Sequence, residues 1–299
     1  ARGGTTAFLG TTVSADRSRL KNALQIAAQY RRRRDPAGAK MLGVHLEGPY
    51  LNPEKKGAHD PDKLKLPDLG ELQGLLAGTG DLVRMVTLAP EMPGSFELIA
   101  FLARSGVKAA LGHSAAGNDI LVGARAAGLS HGTHMFNAMG EFRHREPGTV
   151  GYLLQMPEIT ADVIADGVHV HPAAINMLVT LKGMDKVALI TDAIRAAGLP
   201  DGCYELGGRE VYVRAGEARL ADGTLAGSTL TMNRAVGYMV RAVGATMEQA
   251  VQMASLNPAR VLGIDDLYGR LETGFMASIT VLDRDFGVIA IFVEGEKVI

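Results

Sequence analysis

Tryptophan is absent from these 299 residues, and the aromatic side chains together make up only 5%. A nucleic-acid surface built on base stacking needs aromatics beside a basic stripe, and the chain has no such combination. Charge of one sign is also missing. The 31 Lys and Arg against 32 Asp and Glu leave a formal net charge of -1, so no global field draws the chain to polyanions or an anionic bilayer, and a charged ligand must be held by local groups. One cysteine, Cys203, excludes an intramolecular disulfide and fits a reducing compartment. No apolar run approaches the roughly 20 residues needed to span a bilayer. Ala1-Arg2-Gly3-Gly4 lacks the apolar core of a signal peptide. These absences make the cytoplasm the expected compartment, with no nucleic-acid or membrane partner.

Apolar residues are plentiful, at 47%, enough to bury the core of one barrel-sized domain or two ordinary ones. Their pattern alternates. Thr5 to Leu9 reads as a strand, with Gly10 to Thr12 as a loop, and Ser14 as N-cap of a helix that runs out in Arg31 to Arg34 before Asp35-Pro36. That basic run complements a helix C-terminus. Strands are expected at Met41 to Leu46, Leu82 to Leu88, Val107 to Leu111, Ser130 to His134, Ile159 to Ala165 and Val187 to Thr191. Helices separate them, except for a loop through Gly148. Seven βα units with short buried strands predict an α/β protein with a parallel sheet, read as a TIM-like (β/α)8 barrel whose first strand is absent. An alternating stretch at about 201–222 reads as a β-hairpin insertion over the barrel mouth. Residues 1–266 are assigned to the barrel, and 267–299 to the C-terminal part of a small β-sandwich domain whose N-terminal half lies in a missing preceding segment.

Four chemically capable residues stand at strand ends: Glu47, His113, His134 and Asp192. In a closed barrel of parallel strands, residues just past the C-terminal ends converge on one face. Each alone has a plain alternative: a polar strand end for Glu47, a hydrogen-bonded core histidine for His113, and a salt bridge for Asp192. Of His131 and His134, three apart and on opposite faces of a strand, His134 is assigned to the mouth and His131 to the structure. Together the four make a three-ligand set for a catalytic cation plus a proton carrier, Asp192. A second group, Arg143, His144 and Arg145 with Asp166 to His169, places cationic and donor groups on loops at the same mouth. It reads as an anion site, or, for Arg143 and His144, as solvated surface charge. His59, in the loop after Glu47, reaches the pocket or lies exposed.

In sequence order, His45-Leu46-Glu47-Gly48-Pro49, Lys55 to His59, Leu88 to Glu91, Gly112-His113-Ser114 and Thr133 to Met139 resemble motifs of the N-acetylglucosamine-6-phosphate deacetylase family of the amidohydrolase superfamily. So do Arg145 to Gly148, Ala165 to His169, Thr191-Asp192-Ala193 and Leu225 to Ser228. The resemblance covers nearly the whole chain. It implies a metal-dependent hydrolase barrel, with one divalent metal held by Glu47, His113 and His134; zinc is the first choice, and iron, manganese or cobalt the alternatives. It implies Asp192 as catalytic acid and base, sugar contacts from Ala58, His59, Asn137, Ala138, Leu225, Ala226 and Gly227, and phosphate contacts from Arg145 and His169. The implied reaction, in amino-sugar catabolism, releases acetate from N-acetylglucosamine 6-phosphate. Arg145 is expected to reach the active site of a neighbouring subunit in a homodimer.

The chain also departs from the family. The first barrel strand, which in related enzymes often carries a His-x-His pair for a second metal and in others a substitute that leaves one metal, is expected to lie in the missing segment, which leaves one metal and two both open. Gly274 to Ser278 replaces a commoner Gly-Lys-x-Ala-Asp. The competing expectations are an N-acetylgalactosamine-6-phosphate deacetylase, a non-catalytic sugar-phosphate binding protein, and an inactive fragment.

Overall fold

A computed structural model describes residues 1–33, 35 and 38–299. Arg34 and Pro36, at the end of the basic run and the expected helix stop, lie outside the described residues, as does Ala37. Strand and helix alternate from the start: β1 (Ala7–Thr12), α1 (Arg17–Arg33), β2 (Lys40–Glu47), α2 (Leu69–Leu76), β3 (Val83–Leu88), α3 (Ser95–Arg104) and β4 (Lys108–Leu111). There follow α4 (Asn118–Ala127), β5 (His131–Gly132), α5 (Gly148–Leu154), β6 (Thr160–Ile164), α6 (Pro172–Lys182) and β7 (Val187–Ile190). The seven strands form one parallel sheet in sequence order. Sequential parallel pairing with a helix in each crossover brings every strand's C-terminal end to one edge. Apart from β1, whose residues are all partly exposed, the strand side chains are almost continuously buried, as expected of strands covered on both faces.

Three local readings change. Gly10, Thr11 and Thr12 are strand, paired with Val44, His45 and Leu46. The first helix begins at Arg17, so Ser14 is not its cap; its backbone N–H donates to His59 Nδ1 at 3.2 Å. Gly148–Leu154 is a helix where a loop is expected. That segment carries two glycines and no long apolar period, and tertiary packing decides it: a side chain at Gly151 would strike Pro147 and Phe142.

The buried Lys182, the last residue of α6, donates from Nζ to the carbonyls of Leu153 and Met156, at 2.7 and 2.8 Å, just where α5 ends. Burial pulls its ammonium down from 10.5 to about 8. Between those values the unfolded chain binds more protons than the folded one, so raising the pH across that window favours folding. The carbonyl acceptors favour the ammonium and trim the gain below about 3 kcal/mol. Denaturant midpoints at pH 8 and pH 10 are expected to show this gain in the wild type and not in Lys182→Met.

Beyond β7 comes an antiparallel meander, β8 (Gly202–Leu206), β9 (Arg209–Arg214) and β10 (Glu217–Arg219). Val211, Val213, Ala218, Leu220 and Ala226 fill its own small core, against which Ala58 packs. Helices α7 (Met232–Tyr238), α8 (Met247–Ala254) and α9 (Leu256–Leu262) follow, α7 running into a π-helical turn at Met239–Val243. The chain ends in a sheet of β11 (Ile279–Leu282), β12 (Val288–Val293) and β13 (Glu296–Lys297). That sheet is fastened to the main body: Lys40 pairs with Glu294 at 3.2 Å, Asn233 Nδ2 donates to the Phe286 carbonyl at 2.8 Å, and Thr280 Oγ1 donates to the Gly4 carbonyl at 2.9 Å. Among the described residues, no helix is long and apolar enough to cross a membrane.

Candidate metal centre

Glu47 is the last residue of β2, and His113, His134 and Asp192 each stand two residues beyond β4, β5 and β7. The last three share a backbone signature: φ is 50° at His113, 37° at His134 and 48° at Asp192. Non-glycine residues rarely occupy this left-handed region, and such strain clusters at functional sites. It also decides direction. Thr133 Oγ1 meets Thr87 Oγ1 at 2.7 Å, and a side chain at Gly112 would strike Thr87 and Thr133. Gly112 and Thr133 therefore face one another, and plain alternation would turn the next residues, His113 and His134, the opposite way. The left-handed turns bring both rings back to Glu47. His134 Nε2 lies 2.9 Å and His113 Nε2 3.1 Å from Glu47 Oε1, and all three side chains are buried.

The donor atoms of Glu47, His113 and His134 lie within 4.8 Å of one another, close enough to hold one metal ion. Their chemistry fits a cation. His113 Nδ1 faces the Lys55 carbonyl at 2.7 Å, an acceptor only, so Nδ1 carries a ring proton and Nε2 is the atom that meets the Glu47 carboxylate. A positive charge must stand between them. His134 Nε2 faces the same carboxylate oxygen, while its Nδ1 is buried without a hydrogen-bond partner in the protein. With protons alone, burial raises the Glu47 carboxyl, but hydrogen bonds from His113 and His134 outweigh it and hold it well below the usual range. Burial likewise opposes charge on His134, yet Glu47 and Asp192 push it up to about 9. Both shifts express a site that demands positive charge.

Asp192 is partly accessible at the mouth while closely surrounded by protein. Burial, reinforced by the Glu47 charge, pushes its carboxyl up to about 7. Its backbone carbonyl accepts the Ser228 N–H at 2.8 Å, and a side chain at Gly227 would strike Ile194 and the Asp192 carbonyl. The predicted Leu225 to Gly227 segment therefore runs along Asp192, although the Ala226 side chain is buried in the meander core. His59 is buried beside the triad, its ring 4.7 Å edge-on from that of His113. Because its Nδ1 accepts the Ser14 amide, its ring proton sits on Nε2, 3.8 Å from Glu47 Oε2. Burial lowers its pKa to about 4, so it is a neutral donor.

The remaining predicted residues divide. Ala58 offers its carbonyl to Arg209 at 3.1 Å. Asn137 donates to the His134 carbonyl at 3.1 Å, and Ala138 accepts the Ser114 amide at 3.1 Å; both brace the turn after His134. Asp166 fixes His169, accepting from its Nδ1 at 2.7 Å and its backbone at 2.8 Å, which leaves Nε2 for a ligand. Burial would raise Asp166, and the bonds from His169 bring it below its ordinary value. Arg145, with Arg143 and His144, lies exposed on a tight hairpin outside this cluster. Sequence reading missed Asp162. The signal was there: a carboxylate between Ala161 and Val163 in a buried strand is costly unless partnered, and its partners are His131 and the His134 amide.

Two histidines and a carboxylate at the ends of parallel strands, with a second carboxylate beside them, define the class of metal-dependent hydrolases. The sequence profile of the amidohydrolase family matches residues 1–298. The chain is 43% identical to an N-acetylgalactosamine-6-phosphate deacetylase of Escherichia coli O157:H7, across 99% of this chain and 78% of that protein. It is 39% identical to an N-acetylglucosamine-6-phosphate deacetylase of Bacillus subtilis, across 98% and 74%. The solved Mycobacterium smegmatis N-acetylglucosamine-6-phosphate deacetylase, a mutant form in complex with its phosphosugar, superposes with a TM-score of 0.94 at 39% identity, covering all of this chain and 78% of that one. The chain belongs to the amidohydrolase family and, within it, to the N-acetylglucosamine-6-phosphate deacetylases.

Proposed function

We propose that this chain hydrolyses the acetamide of N-acetyl-D-glucosamine 6-phosphate to D-glucosamine 6-phosphate and acetate. The observation that carries the reading is the convergence of Glu47, His113 and His134 on one point beside Asp192, in a chain similar over nearly all its length to such deacetylases. Glu47, His113 and His134 hold a divalent cation, with zinc the best match to two imidazoles and one carboxylate. When bound, it polarises the acyl oxygen and acidifies the attacking water. Asp192 takes the proton from that water as oxygen adds to the acyl carbon. It then passes the proton to the amine nitrogen as the C–N bond breaks, so that the nitrogen departs as a neutral amine. His59 Nε2–H, Ala58, Asn137, Ala138 and the Leu225 to Gly227 backbone line the sugar and acetamide pocket. His169 and Arg145 take the phosphate, the exposed Arg145 reaching from a second subunit of a homodimer.

The seven parallel strands are read as part of an eight-stranded barrel, the eighth lying between β7 and β1. Residues 1–266 belong to this barrel, with 201–222 as its insertion, and 267–299 to a small β-sandwich. The high identity to a galactosamine deacetylase keeps N-acetylgalactosamine 6-phosphate as the second substrate. Acetate release from the two phosphosugars and from plain N-acetylglucosamine tests the reading: kcat/KM should be highest for N-acetylglucosamine 6-phosphate. No release from folded, zinc-loaded protein overturns it. Arg145→Ala should raise KM for the phosphosugar about 10- to 100-fold, equivalent to one charge-assisted hydrogen bond of ~1.5–3 kcal/mol, while kcat hardly changes. An unchanged preference for the phosphorylated sugar would remove Arg145 from the phosphate site.

A further inference from the structure

The two histidines of the triad are held in different ways. A metal-binding imidazole ordinarily donates its second ring N–H to a protein acceptor, which fixes ring orientation. His113 does so through the Lys55 carbonyl, whereas His134 Nδ1 is buried with no partner. The aim of His134 must therefore come from its backbone, which stands at φ 37°, where a bulky residue persists only if its surroundings hold it.

The holding group is Asp162, on β6. Its Oδ1 accepts the His134 backbone N–H, and its own carbonyl accepts the Met135 N–H at 2.8 Å. Its Oδ2 is in turn held by His131 Nε2 at 2.9 Å, and His131 Nδ1 meets Thr160 Oγ1 at 2.8 Å. Asp162 and His131 are 5% and 1% exposed, so neither can exchange these bonds for water. The attachment matters because β5 has only two residues, His131 and Gly132, which pair with β4 on one side and β6 on the other. Strand pairing therefore stops two residues short of His134, and the carboxylate extends the attachment to β6 as far as the ligand itself.

We propose that Asp162, fixed by His131, is the positioning residue that aims His134 into the metal site. The pair touches neither substrate nor metal and acts through the His134 backbone. This rests on the reading of Glu47, His113 and His134 as the metal site, so Glu47→Gln is included as the reference that tests that reading.

The experiment measures zinc affinity by competition with a chromophoric chelator, the absorption spectrum of cobalt-loaded protein, and the melting temperature of metal-free protein. Asp162→Ala should fold, lose about 10- to 100-fold in zinc affinity, the usual effect of removing a group that orients a ligand, and alter the cobalt spectrum. Asp162→Asn should keep most of the affinity and the wild-type spectrum, because its amide oxygen still accepts the His134 N–H and its amide nitrogen can donate to His131. A purely structural role would lower the melting temperature and leave affinity and spectrum alone. If Asp162→Ala does not fold, His131 decides: His131→Leu removes the hydrogen bond to Asp162 and should weaken zinc binding about tenfold, while His131→Gln retains a donor and should not. Wild-type affinity and spectrum in folded Asp162→Ala, or equal affinity in His131→Leu and His131→Gln, overturns the positioning role alone. If the wild type binds zinc no more tightly than Glu47→Gln, the metal site is wrong and the proposal falls with it.

Discussion

Asp192→Asn is expected to bind zinc and phosphosugar as the wild type does, and to turn over about 10²- to 10⁴-fold more slowly, the range for removing a positioned acid-base group. The substitution keeps the shape of the side chain and the backbone bond from Ser228, and removes only the capacity to take and return a proton. The pH profile carries a second signature. Asp192 must begin ionised, so kcat/KM falls as pH drops through its folded pKa. Burial sets that value near 7 with protons alone; a cation in the triad favours the carboxylate, so the acid limb should lie below pH 7. Steady-state kinetics from pH 5 to 9, with zinc content measured on the same samples, checks both. Near-normal turnover in Asp192→Asn would remove Asp192 from the mechanism.

Glu47→Gln should cost more than any supporting substitution. The variant is expected to lose well over 100-fold in zinc affinity, beyond the ~10- to 100-fold typical of residues that only orient a ligand, and to lose activity with it. Glu47 Oε1 is the atom that both imidazoles face, so its negative charge is what offsets a cation in a buried site. Stripping the wild type with a chelator should abolish acetate release, and zinc should restore it; Glu47→Gln should not recover at the same zinc concentration. Equal affinity in the two proteins, read by chelator competition, would move the metal elsewhere.

Much of this architecture is legible in the residues. Short apolar runs such as Val187 to Ile190, separated by amphipathic stretches, specify parallel strands and crossover helices, because a strand covered on both faces has no polar side to show. Glu47, His113, His134 and Asp192 could be selected as one group because parallel connectivity brings the strand ends to a common edge. The α5 helix was illegible: its glycines are selected by contact with Pro147 and Phe142, a packing fact with no local pattern.

The role of His131 shows the same boundary. Alternation alone puts it on the face opposite His134 without saying which face carries the site, and only the tertiary structure joins the two through Asp162. Spacing reveals which strand ends carry donors, since hydrophobic periodicity and residue chemistry are local properties. It cannot reveal where those donors aim. Direction here depends on left-handed backbone at His113, His134 and Asp192, held in place by Asp162 of β6 at His134 and by the Ser228 amide at Asp192. Local pattern was enough for the parallel α/β plan and for the four donors at its strand ends, while long-range packing fixed the register and the turns that bring three buried side chains within reach of one ion.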